Sequence, residues 1–409
     1  MLNWAKPFSI FSFLDNNDYD IQPRHYECVL ATGVRSVIDS DCYHFKDINS
    51  LIKSGKWIFG HLSYEQGLSF HQLSANKENK IGFPLFFFFE PQIVCFIKDG
   101  YLHIHADKPD EIYSQICNCS NVVDDYKSEL YIQSKLSKED YIQTIKKLQQ
   151  HILRGDCYEI NFCQQFYAEA ATINPFSVFT QLSEISPNPF SAFYKINDKF
   201  LICASPERFL TRVGDELFSQ PMKGTAKRIL SDERKDDEMK NNLFRSEKER
   251  SENVMVVDMV RNDLSRISIN GSVEVKELFS IYTYPFVHQM ISTIRGKVKN
   301  SILFSDIIEA TFPMGSMTGA PKKRVMELIN EYETGCRGIF SGSVGYIDPQ
   351  GSFDFNVVIR SIMYNATSRY IEYAVGSAIT FYSDPEMEWK ECLLKGEAIK
   401  KVLTSQPAL

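Results

Sequence analysis

The pattern of apolar and polar positions changes near residue 135. Before that point, apolar residues come in short runs, such as residues 93–97 and 101–105, which flank Lys98-Asp99-Gly100. Such runs around a turn predict strands paired in an antiparallel hairpin. From Ser137 onward the apolar period lengthens to about 3.6 residues, and Ser137 with Asp140 resembles a capping box. This second pattern predicts a helix that begins at Ser137.

Strand patterns return later in the chain, separated by short polar turns. They cover residues 191–196, 200–204, 209–213, 217–222, 341–347, 353–363 and 369–380. Short connections require antiparallel pairing, since parallel strands need a long crossover. The pattern therefore predicts an α+β fold rather than a parallel nucleotide-binding sheet.

Two predicted helices carry pairs of acidic residues. Residues 235–263 read as one helix, in which Glu249 and Glu252 lie on the stripe that continues as apolar Val256 and Met259. One interpretation is a solvated face, and the other is a pair of carboxylates that point into a site. This helix alone does not decide between them.

The last predicted helix repeats the arrangement. Asp384 can cap it and Pro385 fits its first turn, while Glu388, Glu391 and Lys395 run along one edge. The predicted buried stripe is Trp389, Cys392, Leu393 and Gly396. If the two acidic helices met, four carboxylates would repel one another unless a divalent cation held them, and oxygen ligands favour Mg²⁺. The sequence alone does not show that they meet.

Two further segments carry candidate chemistry. Residues 315–322, Gly-Ser-Met-Thr-Gly-Ala-Pro-Lys, place hydroxyls and glycines before a predicted helix. They fit either an anion site at a helix N-terminus or an ordinary glycine turn. Residues 221–225, Pro-Met-Lys-Gly-Thr, end a strand with Lys223. Taken alone, Lys223 is more simply a solvated lysine than a nucleophile.

Composition narrows the possible partners. The net charge is −7, and acidic and basic residues are interspersed. The chain therefore has no basic patch of the kind that binds nucleic acid or a membrane surface. A small anionic substrate would need a local positive site. The N-terminus lacks a signal-peptide pattern and no long apolar segment occurs, which predicts a cytoplasmic protein with reduced cysteines.

The order and spacing of these motifs resemble the chorismate-utilising enzymes. The resemblance runs from about Tyr141 to Val402. The segments that carry it are residues 155–161, 204–207, 221–225, 252–263, 287–288, 315–322, 344–346, 359–360 and 388–395. It implies a four-layer αββα sandwich of two large, mostly antiparallel sheets, like anthranilate synthase component I. Residues 1–135 would form the N-terminal part and 136–409 the chorismate-binding catalytic region of one compact unit.

Two positions bear on the reaction that the resemblance implies. Lys223 stands where anthranilate synthases carry alanine, which favours the branch that makes 4-amino-4-deoxychorismate for para-aminobenzoate and folate. Glu159 stands where enzymes that add water to chorismate carry lysine, which counts against those branches. An anthranilate synthase large component and a catalytically silent chorismate-binding relative remain the alternatives.

The resemblance also implies roles for single residues. Glu207 is expected to be the general acid for the C4 hydroxyl, and Lys223 the nucleophile at C2, so that ammonia attacks C4. His288 and Ser316 are expected beside the ring and its C1 carboxylate. The remaining expected substrate ligands are Tyr346 and Arg360 at the enolpyruvyl carboxylate, Gly376 through its backbone, and Lys395 through its charge.

The expected cofactor is Mg²⁺, held by Glu249, Glu252, Glu388 and Glu391, with Glu252 and Glu391 as direct ligands. One departure from the family stands nearby: its glycine-rich stretch reads Gly376-Ser377-Ala378 here. The sequence contains no glycine-flanked cysteine elbow of an amidotransferase. Ammonia is therefore expected from a glutamine amidotransferase subunit or from solution.

Overall fold

The computed structural model describes residues 1–75, 77–119, 129–285 and 287–404. The strands in this part of the chain are β1 (Ile10–Asp15), β2 (Cys28–Thr32), β3 (Ser36–Asp39), β4 (Ile58–Leu62), β5 (Phe86–Glu90), β6 (Ile93–Lys98), β7 (Tyr101–His105), β8 (Gln133–Ser134), β9 (Glu159–Ala168), β10 (Phe190–Ile196), β11 (Lys199–Ser205), β12 (Arg208–Val213), β13 (Glu216–Gln220), β14 (Met222–Lys227), β15 (Glu274–Thr283), β16 (Val287–Lys297), β17 (Gly319–Ala320), β18 (Ser343–Ile347), β19 (Phe353–Asn356), β20 (Ser361–Asn365) and β21 (Tyr370–Ile379). The α-helices are α1 (Leu2–Ala5), α2 (Ile48–Ile52), α3 (Tyr64–Phe70), α4 (Pro109–Asn118), α5 (Lys138–Leu153), α6 (Pro175–Ile185), α7 (Glu233–Arg245), α8 (Glu247–Ser265), α9 (Phe304–Thr311), α10 (Lys322–Tyr332), α11 (Pro385–Lys395) and α12 (Glu397–Thr404).

The strands form two large antiparallel sheets. The eleven-stranded sheet has the order β17-β9-β21-β20-β11-β10-β1-β2-β6-β7, with β8 also paired to β9. The ten-stranded sheet has the order β14-β16-β13-β12-β19-β18-β4-β5-β3, with β15 also paired to β16. The predicted α+β class and antiparallel pairing are confirmed.

Alternating side chains of the eleven-stranded sheet build the layers. On β10, Ala192 and Tyr194 belong to the core between the two sheets, whereas Phe193 belongs to the core beneath the helices. Helices α5, α6, α10, α11 and α12 cover this outer face, and α2, α8 and α9 pack against the inter-sheet core from the other sheet's side. A strand with two apolar faces needs a partner layer on each side, and the result is the predicted αββα sandwich.

Strands from before and after residue 135 pair within each sheet. Strand β1 pairs with β10 in one sheet, and β4 pairs with β18 in the other, where Gly60 lies opposite Gly345. The division at residue 135 stays a prediction, and residues 405–409 of the second part lie outside the described residues.

Two predicted elements are interrupted. The helix predicted over residues 235–263 is two helices, because Ser246 adopts an extended conformation and caps α8 by accepting a hydrogen bond from the Glu249 N–H. The strand predicted over residues 353–363 is also two, β19 and β20, which lie in different sheets. The chain crosses between the sheets at residues 357–360, where Arg360 has a left-handed φ of 52°.

Helix α11 buries Cys392 and Gly396 and packs the half-buried Trp389 against the core, as predicted, but it leaves Leu393 exposed. Leu393 is 47% exposed, whereas Cys392 is fully buried and the acidic Glu388 is only 3% exposed. The prediction for Leu393 was wrong because the helix turns a carboxylate toward the sheet. Among the described residues, no helix has both the length and the apolarity needed to cross a membrane.

Candidate active site

Lys223 lies near the start of β14, where the pairing of this strand with β16 is irregular. Gly224 has a φ of 86°, which favours glycine, and an added Cβ would lie 3.0 Å from Glu249 Oε2. The Gln289 side chain holds this segment: its Nε2 donates to the Gly224 carbonyl over 2.6 Å, and its Oε1 accepts from the Thr225 hydroxyl over 2.9 Å. Sequence reasoning missed Gln289, although it directly follows the His288 that was singled out.

The Lys223 ammonium faces carboxylates from two other elements. Its Nζ lies 3.1 Å from Glu159 Oε1 on β9 and 3.9 Å from Glu252 Oε2 on α8, and the side chain is 12% exposed. Burial alone would lower the pKa of Lys223, but Glu159, Glu252 and Glu207 together raise it. Lys223 is therefore held as an ammonium ion in this arrangement.

The surroundings of Glu207 favour its neutral form, whereas those of Lys223 favour the charged form. It follows β11, where Ser205 Oγ accepts a hydrogen bond from the Glu207 N–H over 3.2 Å, and it is 4% exposed. Burial raises the pKa of Glu207 to about 7, against the opposing influence of the Ser316 hydroxyl and the Lys223 ammonium. A carboxyl group that keeps its proton near neutral pH is suited to general acid catalysis.

The glycine-rich turn at residues 315–320 docks onto β9. Asn161 donates from Nδ2 to the Ser316 carbonyl over 2.9 Å and from its backbone N–H to the Thr318 carbonyl over 2.7 Å. Gly319 packs so closely that a Cβ would lie 2.1 Å from the Glu159 carbonyl oxygen. The Ser316 hydroxyl is buried near Glu207 and makes no well-formed hydrogen bond, which leaves it available to a ligand.

Arg337 joins the turn at residues 315–320 to β9 through hydrogen bonds to both. Its guanidinium donates to the Met317 carbonyl over 2.7 Å and to the Asn161 carbonyl over 2.9 Å, and it forms an ion pair with Glu333. Arg337 is 2% exposed. This interaction is not predictable from the sequence, because a lone arginine between Cys336 and a glycine resembles a surface residue.

His288 is oriented by protein groups on both ring nitrogens. Nδ1 lies 3.0 Å from the Thr283 hydroxyl, and Nε2 lies 3.2 Å from Asp236 Oδ1. Asp236 is in turn held by Arg228 over 2.8 Å, an interaction that lowers the pKa of Asp236 to about 2. The ring is fixed close to β14, where it lies opposite Ala226. Its contact with a substrate stays a prediction.

Carboxylates of both acidic helices act on the same lysine, Lys248. Burial tends to lower the pKa of Lys248 on α8, but the carboxylates of Glu252, Glu388, Glu391 and Glu249 together raise it. Burial also raises the pKa of Glu252 to about 7, and the repulsion of Glu249 and Glu159 adds to this effect while Lys223 opposes it. The carboxylates of α8 and α11 therefore share one electrostatic environment.

This environment has the chemistry of a cation site. Six carboxylates, those of Glu159, Glu207, Glu249, Glu252, Glu388 and Glu391, interact with three ammonium groups, those of Lys223, Lys248 and Lys395. Oxygen donors with uncompensated charge fit Mg²⁺. Within the described residues, no three His, Cys, Asp or Glu side chains already converge closely enough to hold an ion. The chemistry of the donor set fits Mg²⁺, whereas the side chains of the described residues are not arranged around a common centre.

Lys395 and Gly376 lie at the edge of the acidic group. Lys395 Nζ donates to the Gly376 carbonyl over 2.9 Å and lies 2.7 Å from Glu391. A Cβ on Gly376 would lie 2.4 Å from Asn161 Oδ1. A side chain at position 376 would therefore displace the Asn161 carboxamide, which holds the turn at residues 315–320.

Arg360 supplies a positive charge that no carboxylate neutralises. Its backbone carbonyl accepts from the Ala204 N–H over 3.1 Å, which places it beside the strand that leads to Glu207. Burial lowers the pKa of Arg360, and among the described residues no acidic side chain forms an ion pair with it. A non-glycine residue with a φ of 52° stores backbone strain, as functional positions often do.

Tyr346 is not brought to this group. Its ring packs against Tyr26 at 5.6 Å and Trp57 at 5.9 Å between centroids. It lines a separate cavity with His25 and Arg208. The geometry gives no support to Tyr346 as a ligand of the same substrate as Lys223.

Comparisons with known proteins identify the family of this chain. The model of the chorismate binding enzyme family matches residues 26–401. Aminodeoxychorismate synthase component 1 of Escherichia coli (strain K12) is 37% identical over 271 residues, which cover 66% of this chain and 59% of that protein. The protein of the same name from Bacillus subtilis (strain 168) is 35% identical over 267 residues, covering 65% of this chain and 56% of the relative. The match thus spans between a half and three-fifths of these relatives.

A solved structure supports the fold. Anthranilate synthase component I from Streptococcus pneumoniae TIGR4 superposes with a TM-score of 0.81 at 22% identity, covering 94% of this chain and 93% of that one. The match of the family model to most of the sequence, together with the sandwich that positions Glu207, Lys223 and the acidic helices, leads to one conclusion. The chain belongs to the chorismate binding enzyme family.

Proposed function

We propose that this chain is the chorismate-aminating component of an aminodeoxychorismate synthase. It would convert chorismate and ammonia to 4-amino-4-deoxychorismate, on the route to para-aminobenzoate and folate, in the cytoplasm. The observation that carries the proposal is the position of Lys223, with its Nζ 3.1 Å from Glu159 and its charge coupled to the protonatable Glu207. The bacterial relatives named aminodeoxychorismate synthase component 1 support the same reaction.

Chorismate carries two carboxylates, and the site offers separate groups to each. The unpaired Arg360 guanidinium is suited to bind the enolpyruvyl carboxylate, for which a planar two-pronged donor is well matched. The free Ser316 hydroxyl and the backbone near Gly376 would contact the ring and its carboxylate. Lys395 contributes positive charge beside Gly376.

The chemistry proceeds in two balanced steps. Glu207 donates its proton to the C4 hydroxyl, which leaves as water while the Lys223 amine bonds to C2 and both ring double bonds shift toward C4. Ammonia then attacks C4, both double bonds shift back, and the C2–N bond breaks to return the electron pair to Lys223. The proton released by the incoming ammonia restores Glu207. Occupation of C2 by Lys223 directs ammonia to C4.

Lys223 must lose a proton before it attacks. Glu159 Oε1, at 3.1 Å, is within hydrogen-bond distance of Nζ and is the nearest acceptor, and Glu252 follows at 3.9 Å. Proton transfer to a neighbouring carboxylate inside a buried site forms two neutral groups from an ion pair. Burial favours this change, and the negative charge of the surrounding carboxylates opposes it.

The same proposal includes Mg²⁺ bound by Glu252 and Glu391, with Glu249 and Glu388 in support. When bound, Mg²⁺ would supply positive charge that offsets the glutamates and fixes the ring carboxylate. The raised pKa of Glu252 supports this assignment, because burial and the neighbouring Glu249 and Glu159 disfavour its negative charge, which a bound cation would stabilise.

The test is to incubate the purified chain with chorismate, Mg²⁺ and ammonium and to identify the product by mass spectrometry. Aminodeoxychorismate is expected, and anthranilate should not accumulate. Anthranilate as the main product would contradict the proposal and indicate an anthranilate synthase large component instead. Unchanged chorismate under these conditions would indicate a binding relative without this activity.

A further inference from the structure

Glu388 is a buried carboxylate whose charge no ion pair neutralises. It lies in the first turn of α11, is 3% exposed, and is not ion-paired to any lysine or arginine of the described residues. A buried carboxylate without a cation is costly unless hydrogen bonds stabilise it. The protein therefore needs a specific donor at this position.

The hydroxyl of Ser377 is that donor. Ser377 is fully buried on β21, opposite Phe162 of β9, and its Oγ donates to Glu388 Oε2. The bond joins β21, the third strand from one edge of the eleven-stranded sheet, to the helix that carries Glu391. It fixes the orientation of a carboxylate that would otherwise rotate about its terminal torsion.

We propose that Ser377 is a positioning residue that holds the Glu388 carboxylate in place for cation binding by the acidic group of α8 and α11. This inference rests on the proposed function, because it concerns the Mg²⁺ site named there. Ser377 does not itself bind the ion. Hydrogen-bonded partners of metal-binding carboxylates orient the ligands, and their removal typically weakens metal affinity about 10–100-fold.

The inference is tested by metal binding without turnover. Mn²⁺, which also prefers oxygen ligands, is titrated into the purified full chain and followed by electron paramagnetic resonance, with Mg²⁺ as competitor. Ser377→Ala should raise both dissociation constants by about 10–100-fold. The matched control is Ser12→Ala in the same sheet, since the Ser12 hydroxyl is fully buried and has no hydrogen-bond partner. That control should bind both metals as the unmodified chain does.

A double-mutant cycle separates positioning from a general effect on packing. If Ser377 acts through Glu388, adding Ser377→Ala to Glu388→Gln should leave the affinity within about twofold of Glu388→Gln alone. If Ser377→Ala weakens metal affinity equally in the unmodified chain and in Glu388→Gln, the inference is overturned. Unchanged metal affinity in Ser377→Ala, or no metal binding by the unmodified chain, would also overturn it.

The outcome is independent of the activity assay. Aminodeoxychorismate formation with normal metal affinity in Ser377→Ala would reject only the role of Ser377. Weakened binding in Ser377→Ala, in a chain that forms no aminodeoxychorismate, would reject only the proposed function.

Discussion

At the scale of single residues, the proposed reaction requires above all that Lys223 lose its proton. An unperturbed lysine with a pKa near 10.4 costs about 4.6 kcal/mol to deprotonate at pH 7. The carboxylates around Lys223 raise its pKa further, so the free amine is less accessible than in water. The proposed mechanism therefore requires a proton acceptor near Lys223, and Glu159 is the nearest carboxylate.

A covalent adduct on Lys223 is the first prediction. Without ammonia, the second step cannot occur, so chorismate and Mg²⁺ should leave the chain with the mass of chorismate less one water. Peptide mapping should place this mass on the segment 221–225. Lys223→Ala should abolish it and reduce product formation by orders of magnitude, while Lys227→Ala, at an exposed position of the same strand, should not. An adduct on another peptide would contradict the nucleophile assignment.

The second prediction concerns Glu207 and stability. Because burial raises the pKa of Glu207 from an ordinary 4.5 to about 7, folding favours its protonated form. This contribution to stability is fully present below pH 4.5 and is lost as pH rises through 7. Between pH 4.5 and 8 the unmodified chain should lose about 3 kcal/mol of unfolding free energy that Glu207→Gln does not lose.

Urea denaturation of both proteins at several pH values measures this difference. A pH-independent gap between the two curves would show that Glu207 is not the group responsible. An increasing gap as pH falls would contradict the direction of the pKa shift.

Helices and strands were predictable where a local signal fixes them. Ser137 caps α5 by accepting from the Asp140 N–H, and Asp384 caps α11 by accepting from the Met387 N–H, as their positions in the sequence indicated. The break at Ser246 was not predictable, because the helical period continues across it. The crossing at residues 357–360 was hidden for a related reason: apolar residues continue through it while the chain changes sheets.

The third prediction belongs to helices α8 and α11. Glu252→Gln and Glu391→Gln each remove a proposed Mg²⁺ ligand, so each should raise the Mg²⁺ concentration for half-maximal activity roughly 10–100-fold. Asp258→Asn is the control, because this exposed residue of α8 pairs only locally with Arg261. Unchanged Mg²⁺ dependence in both glutamine variants, with intact folds by circular dichroism, would remove the metal assignment.

For the whole molecule, the family resemblance supplied what local patterns could not. Strand order depends on which distant segments meet, and periodicity carries no information about that. The site shows the same limit: motifs identified Lys223 and Glu207, but Gln289 and Arg337 act through tertiary hydrogen bonds that leave no mark in sequence spacing. Tyr346 matched a motif and yet lies in another cavity.

The fourth prediction concerns the source of nitrogen. The sequence contains no amidotransferase nucleophile elbow, so the isolated chain should use ammonium but not glutamine. Addition of a glutamine amidotransferase subunit should make glutamine an efficient donor. Labelled nitrogen in the product, followed by mass spectrometry, distinguishes the two sources. Glutamine-dependent amination by the rigorously purified chain alone would contradict this expectation.

The pairing of β4 with β18 has a consequence for synthesis on the ribosome. Gly60 is synthesised long before Gly345, its partner across the two strands. At a synthesis rate of about 5–20 residues per second, the delay between them is roughly 15 to 60 seconds. Throughout it, β4 keeps an unpaired edge beside the phenylalanine-rich strand β5. An open strand edge next to an uncovered apolar face is prone to aggregation. A nascent chain that stalls before residue 343 is therefore expected to require a chaperone, and the first 135 residues expressed alone are expected to be insoluble.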